Sequence, residues 1–341
     1  YNLSEIYVMD RDGGNVRRLA PEFDRSAGSV RWSDDGDAVW FQYTDAGEIK
    51  VAHLPVASGA EPEVRAGDLG GLSTGRPYAA GQYSVAHDGT LAITWSDGTR
   101  PAEVAVVVDG SPRRLTMLNE DLLAYRETHA PEELWWESSY DGRRVQGWLV
   151  KPPNFDPAKQ YPLMLEIHGG PFAAYGPHFA AEIQLYAAAG YMVLYTNPRG
   201  STSYGQEFGN LIHHNYPSQD YDDLISGVDA VIAQGNVDED NLFVTGGSGG
   251  GVLTAWIVGH TDRFAAAVSQ KPVINWYSFV LTADSTPFFY KYWFPGFPWD
   301  YPEQYLERSP LHHVGNVTTP TMLITGEVDY RTPISETEQF Y

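Results

Sequence analysis

Leu242-Phe243-Val244-Thr245-Gly246-Gly247-Ser248-Gly249-Gly250-Gly251-Val252-Leu253-Thr254-Ala255-Trp256-Ile257-Val258 decides the reading of this chain. A short apolar run, a cluster of glycines around one serine, and a second apolar run read as strand, tight turn and buried helix. A turn this sharp needs residues without Cβ on both sides of the serine, so that the chain can reverse and the helix can pack against the sheet. The serine at the apex is therefore a candidate nucleophile, and the chemistry it suggests is acyl transfer.

Bulk properties narrow the partners. The 341 residues are too many for one ordinary domain and fit two. The 44 acidic and 22 basic residues give a net charge of −22, which argues against nucleic acid or an anionic membrane surface as partner. No apolar run reaches the length of a membrane span, and no signal peptide opens the chain. That reading makes the protein soluble and leaves cytoplasm or periplasm open. With no cysteine, disulfides, thiolate metal sites and a cysteine nucleophile are excluded. The chain begins at Tyr1 in strand-like sequence and stops at Tyr341 in helix-like sequence, so it reads as a stretch of a longer protein.

Two regions differ in pattern. Up to about residue 120, short strands alternate with turns: Ile6–Met9, Ser29–Trp32, Ala38–Phe41, Glu48–Val51, Leu91–Thr94 and Val104–Val107. Trp32-Ser33-Asp34-Asp35-Gly36-Asp37-Ala38-Val39 echoes Val85-Ala86-His87-Asp88-Gly89-Thr90-Leu91-Ala92, and Val16-Arg17-Arg18-Leu19 echoes Pro112-Arg113-Arg114-Leu115. Repetition at roughly 50 residues with several strands per repeat predicts part of a β-propeller, about two to three blades over residues 1–125, with a small β-sandwich as the alternative. From residue 126 to 341 a hairpin around Asp141-Gly142 leads into strands that alternate with helices. The expected strands include Leu163–Ile167, Met192–Tyr195, Leu242–Val244 and Met322–Ile324. This alternation predicts an α/β domain with a mostly parallel sheet.

A serine nucleophile needs a base, an orienting carboxylate and donors for the oxyanion. The Gly-x-Ser-x-Gly turn fits an α/β-hydrolase domain, where the chain order is serine, acid, histidine. The fold expected is thus an α/β-hydrolase domain lacking its last strand and helix, preceded by part of a β-propeller. Asp329, on the turn after Met322–Thr325, is the expected acid, with Glu327 as competitor and a turn or helix-cap role as the bland alternative. Upstream, His168-Gly169-Gly170-Pro171 follows a strand. The expected oxyanion donors are the N–H groups of Gly170 and Gly249, and His168 is expected to hold the loop rather than act as base.

These residues resemble the prolyl oligopeptidase family of serine peptidases, on its acylaminoacyl-peptidase and dipeptidyl-peptidase side. The likeness rests on His168-Gly169-Gly170-Pro171, Asn197-Pro198-Arg199-Gly200-Ser201, the serine turn, and Gly326 to Pro333. The segment Ser309-Pro310-Leu311 with Asn316 to Pro320 is similar to the family's lead-in to the acid strand. The resemblance implies hydrolysis of short peptides, without cofactor or metal, and leaves homo-oligomerisation open. It implies that Arg331 binds a substrate carbonyl, against an ion pair with a local acid. It also implies that Trp276, Tyr277 and Phe279 line the pocket for the residue before the scissile bond, against a place in the core. The chain departs from the family in carrying Gly249 where many members have an aromatic residue. It also has no histidine after Asp329, its ten histidines all preceding that residue. The resemblance places the catalytic histidine beyond Tyr341, so residues 1–341 alone are expected to be nearly inactive.

Other constellations point less far. His213-His214 with Asp220, Asp222 and Asp223 suggests metal ligands, but the acids also suit the start of a helix. The competing functions are a carboxylic-ester hydrolase on the same sheet and a non-catalytic propeller binding module.

Overall fold

The computed structural model describes residues 1–341, which group into two compact units. One comprises Tyr1–Ala130 with Ala174–Gln184 and Thr202–Phe208; the other comprises Pro131–Ala173, Leu185–Ser201 and Gly209–Tyr341.

The first unit is built of antiparallel meanders. Strands β1 (Tyr7–Val8) and β2 (Arg17–Arg18) pair with each other. Strands β3 (Gly28–Trp32), β4 (Ala38–Asp45), β5 (Glu48–Pro55) and β6 (Glu63–Leu69) form one four-stranded meander. A second meander contains β7 (Tyr83–Val85), β8 (Leu91–Trp95), β9 (Glu103–Val108) and β10 (Ser111–Arg114). The two meet at the single pair Leu69–Trp95. One of the two sequence echoes, that of the Asp-Gly turns, falls at equivalent places. Gly36 and Gly89, at φ 75° and 83°, turn the first hairpin of each meander. In each turn an aspartate accepts from the N–H two residues on, Asp35 from Asp37 and Asp88 from Thr90. Alternation along the first meander gives it two apolar faces: Val39, Phe41, Ala52 and Leu54 pack on one, and Trp40, Ile49 and Val51 on the other.

The second unit is the α/β architecture expected. Its strands are β11 (Glu132–Glu137), β12 (Arg144–Val150), β13 (Tyr161–Ile167), β14 (Met192–Asn197), β15 (Val237–Gly247), β16 (Ala266–Gln270) and β17 (Thr321–Ile324). Their order in the sheet is β11-β12-β14-β13-β15-β16-β17, with β11 and β12 antiparallel and β13 to β17 parallel. Every residue of β14 is buried, which is why it opens with the continuous apolar run Met192–Tyr195 rather than an alternation. The chain leaves β13 toward β14 and returns to pair β15 on the other side of β13. The crevice above β13 and β15 is thus the topological switch point, where ligands of open α/β sheets bind. No helix of the structure is long and apolar enough to cross a membrane.

A buried ion pair ties down the loop after β14. Arg199 and Asp223 are 4% and 0% exposed. The guanidinium donates to both carboxylate oxygens of Asp223, at 2.8 and 3.0 Å, and the Arg199 backbone N–H adds a bond at 2.7 Å. Asp141 and Ser138 take further donors. Replacing Asp223 by alanine removes the fully buried partner and leaves the arginine only the partly exposed Asp141, and loss of one partner of a buried pair costs about 3–5 kcal/mol. Urea denaturation of the Asp223→Ala variant should show a stability loss of that size; a change below about 1 kcal/mol contradicts this role for the pair.

Candidate active site

Five loops leave the C-terminal ends of β13 to β17, and the sequence motifs lie on them. Ser248 follows β15 and caps the helix Gly249–His260 at φ 58° and ψ −117°. A serine in this region stores on the order of 1–3 kcal/mol of strain, which surrounding contacts must hold. Those contacts are close. A Cβ on Gly250 would lie 2.1 Å from the Ile167 carbonyl oxygen, and one on Gly246 would lie 2.6 Å from that of Gly250. The Ser248 N–H donates to the Gln270 carbonyl at 2.9 Å, and its own carbonyl accepts the first bond of the helix. Glycine is required here by backbone packing, and the serine is left as the side chain at the apex.

The loop after β13 comes beside this turn. A Cβ on Gly249 would lie 3.0 Å from the Gly170 nitrogen and 3.1 Å from the Tyr216 hydroxyl. The two expected oxyanion donors thus belong to neighbouring stretches of backbone. Tyr216 donates to the Gly249 carbonyl at 2.8 Å, which fixes the Gly249–Gly250 peptide. His168 is buried and bridges loops: one ring nitrogen meets the Gly169 carbonyl at 2.7 Å, the other the Ser201 hydroxyl at 2.9 Å. The Ser201 hydroxyl oxygen also lies 2.6 Å from the Pro198 carbonyl oxygen. Burial pushes the imidazole down to about 4, so it is neutral at physiological pH.

Ser248, Gly249 and Gly170 line a cavity of 390 Å³ together with Arg331, Thr332, Phe279 and five other apolar or aromatic side chains: Phe172, Val252, Val273, Phe288 and Phe289. Ser285 and Trp293 complete the wall, and no histidine belongs to it. Of the three aromatics expected there, the structure brings only Phe279 to the cavity. Trp276 is fully buried, its indole N–H bonded to the Arg308 carbonyl, and the Tyr277 hydroxyl donates to the Pro298 carbonyl. On the helix Trp276–Thr282, position 276 fills the interior, position 277 packs half-buried against it, and position 279 lines the cavity. Sequence reasoning missed Phe172, Phe288, Phe289 and Trp293. The signal available was the aromatic run Phe288 to Phe294.

Asp329 lies on the turn after β17, half-buried. Its Oδ1 accepts the N–H groups of Arg331 and Thr332, both at 2.9 Å. Glu327 is exposed. Arg331 lines the cavity and also pairs with Asp284, Nε to Oδ1 at 2.6 Å. The hydrogen bond from Arg331 lowers the Asp284 carboxyl and the same bond raises the guanidinium. Both side chains are about half exposed, so the pair is screened by solvent. Of the residues that suggested a metal, His213 and His214 stack at 3.9 Å, Asp223 holds Arg199, and Asp220 accepts from the Ser218 and Tyr221 N–H groups. Burial raises Asp220 to about 7.

The sequence profile of the prolyl oligopeptidase family matches residues 177–341. The chain is 41% identical over 244 residues to the uncharacterized peptidase YuxL of Bacillus subtilis, covering 71% of this chain and 37% of that one. The chain belongs to the prolyl oligopeptidase family. Within it, dipeptidyl-peptidase 5 of Porphyromonas gingivalis is 28% identical over 340 residues, covering 97% of this chain and 48% of that protein. Among solved structures, the acylaminoacyl peptidase of Pyrococcus horikoshii superposes with a TM-score of 0.84 at 27% identity, covering 99% of this chain and 51% of that one. This family member therefore spans about half, or less, of the length of the proteins it matches.

Two measurements test the local physics. His168 titrates below its unfolded value of 6.5, so its contribution to stability is present above pH 6.5 and is lost as the pH falls toward 4, by about 3 kcal/mol. Asp220 has the opposite sign, since its raised value costs stability as the pH climbs from 3.8 toward 7. Chemical denaturation at pH 7 and pH 4.5 should show that His168→Gln lowers, and Asp220→Asn raises, the stability at pH 7 relative to pH 4.5. Gly250→Ala drives a methyl into the Ile167 carbonyl. Its thermal midpoint should drop by several degrees at least, and an unchanged midpoint contradicts the packing described.

Proposed function

We propose that this chain carries the acyl-transfer machinery of a serine peptidase acting on short peptides. Ser248 is the nucleophile, Asp329 the acid that orients the base, and the N–H groups of Gly170 and Gly249 the oxyanion donors. The observation that carries the reading is Ser248 at φ 58°, at the start of a buried helix and on the wall of a cavity shared with Gly170, Gly249 and Arg331. Strain holds the serine side chain at the apex. Helix N-terminal N–H groups next to it suit a developing negative charge.

Asp329 suits the acid role because its carboxylate is fixed by two backbone donors through one oxygen, leaving the other for a base. Arg331 suits recognition of a substrate carbonyl. Its guanidinium has five donors, and the exposed pair with Asp284 engages only two of its nitrogens. No histidine lines the cavity and none follows Asp329, so this reading assigns no base within residues 1–341. The four-stranded meanders read as propeller blades, which in a complete enzyme would restrict access to short peptides. Domain limits of 1–125 and 126–341, and peptides as the partners, belong to the same proposal.

Activity should separate the readings. In the product of the complete reading frame, N-acyl and aminoacyl peptide anilides are expected to turn over, and Ser248→Ala should lower that turnover by about 10⁶. Hydrolysis of aryl esters with no anilide activity would replace the peptidase with an ester hydrolase. Residues 1–341 alone should hydrolyse anilides slower by a similar factor, and fast turnover by this stretch contradicts the base assignment.

A further inference from the structure

Three consecutive glycines open the helix behind Ser248, and packing requires glycine at two of them. A Cβ on Gly250 would meet the Ile167 carbonyl, and one on Gly251 would lie 2.5 Å from the Gln270 carbonyl oxygen. Glycine has the freest backbone of any residue and, proline apart, is the poorest helix former. The first N–H groups of a helix have no partner within it, and no side chain caps this one. The stretch that must present the Gly249 N–H at a fixed place therefore has the least local stiffness.

Three hydroxyls supply what the glycines lack. The carbonyls of Gly249, Gly250 and Gly251 each accept a side-chain O–H at 2.8 Å, from Tyr216, Thr254 and Ser269 in turn. All three side chains are buried. A carbonyl has two lone pairs, so each can serve the helix ladder and a hydroxyl at once. The Thr254 bond is common in helices, a threonine reaching the carbonyl four residues back. The other two come from outside the helix: Ser269 from β16, and Tyr216 from the loop before the helix Asp220–Ile232.

Tyr216 is the arm nearest the serine. Its hydroxyl lies 3.1 Å from the place a Cβ on Gly249 would take, so it restrains the residue where a side chain is missing. Its ring is held edge to face by Trp276 and Trp293, at 6.3 and 5.9 Å between centroids. Arg308 grips the chain on both sides of it, donating to the Pro217 carbonyl at 2.9 Å and to the Asn215 side chain. Burial, and then the nearby Asp220, raises the phenol well above its ordinary value, so it remains a donor.

We infer that the hydroxyls of Tyr216, Thr254 and Ser269 clamp the three glycine carbonyls, and that Tyr216 is the positioning residue that fixes the Gly249 backbone beside Ser248. The catalytic meaning rests on the proposed role of the Gly249 N–H. Holding the Gly249 carbonyl restrains ψ of that glycine, and with it the angle between the helix and the peptide that carries the N–H. A donor aimed before the oxyanion forms needs no reorganisation as charge develops. Such a hold acts on kcat rather than on KM.

Two readouts on the product of the complete reading frame test this. Hydrogen exchange followed by mass spectrometry reads the backbone without turnover. Tyr216→Phe keeps the ring, and it should speed exchange over residues 246–253 by about fivefold or more while remote segments stay within about twofold. Ser269→Ala should also speed exchange there, and it carries this arm if circular dichroism shows Tyr216→Phe to be unfolded. Anilide kinetics read the consequence. Tyr216→Phe should lower kcat by about fivefold or more with KM within about twofold. Active sites are counted by fluorophosphonate titration, so that a smaller folded fraction does not pass for a lower kcat. Unchanged exchange over 246–253 in either folded variant, an unchanged kcat, or a rise in KM alone would overturn the inference. Faster exchange in a protein that turns over neither anilide nor ester would count against the proposed function and leave the clamp standing.

Discussion

Contact between the Gly250 backbone and the Ile167 carbonyl is the constraint on which the site depends. It lets the helix Gly249–His260 start against the sheet, at a separation that no other residue type permits. Because the helix starts there, the chain reverses at Ser248 with a positive φ, and the serine is displayed at the switch point of the sheet. The same approach brings Gly249 next to Gly170, so the two N–H groups proposed for the oxyanion are neighbours by consequence of packing. The strain at Ser248 persists because ten of the twelve residues of the helix behind it are buried.

Loops around this contact are held by polar groups that carry no chemistry of their own. Asp223 holds Arg199, the loop of Arg199 holds Ser201, and Ser201 meets His168 in the loop of Gly170. On the other side, Glu336 accepts the N–H groups of Ile274 and Asn275 and the hydroxyl of Ser278, which fixes the helix bearing Phe279. Each of these groups is buried and bonded, as a low-dielectric interior requires. Positioning of this kind lets a site on loops keep a defined geometry.

Much of this was legible in the sequence because the strongest signals are local. The elbow glycines, the His168 to Pro171 loop and the Asn197 to Ser201 loop each announce a backbone geometry within a few residues. The assignment of His168 to a structural role follows the same logic, and its two bonds agree with it. The cavity wall was less legible, since a side chain's direction on a short helix depends on what packs around it. Trp276 and Phe279 are three residues apart on one helix, yet one fills the interior and the other faces the cavity. Phe288, Phe289 and Trp293 enter from a segment whose run of aromatics gives neither a strand nor a helix period. Strand β6 was missed for a related reason, because Glu63–Leu69 mixes charge and glycine and owes its pairing to β5.

The central claim is that Ser248 is the reactive serine of an acyl-transfer site. Its most direct test is the identity of the residue modified by a fluorophosphonate in the product of the complete reading frame, read by peptide mass spectrometry. A single phosphonyl adduct on the peptide containing Ser248, absent after denaturation before labelling, is the result expected. An adduct on another serine with Ser248 unmodified would contradict the account.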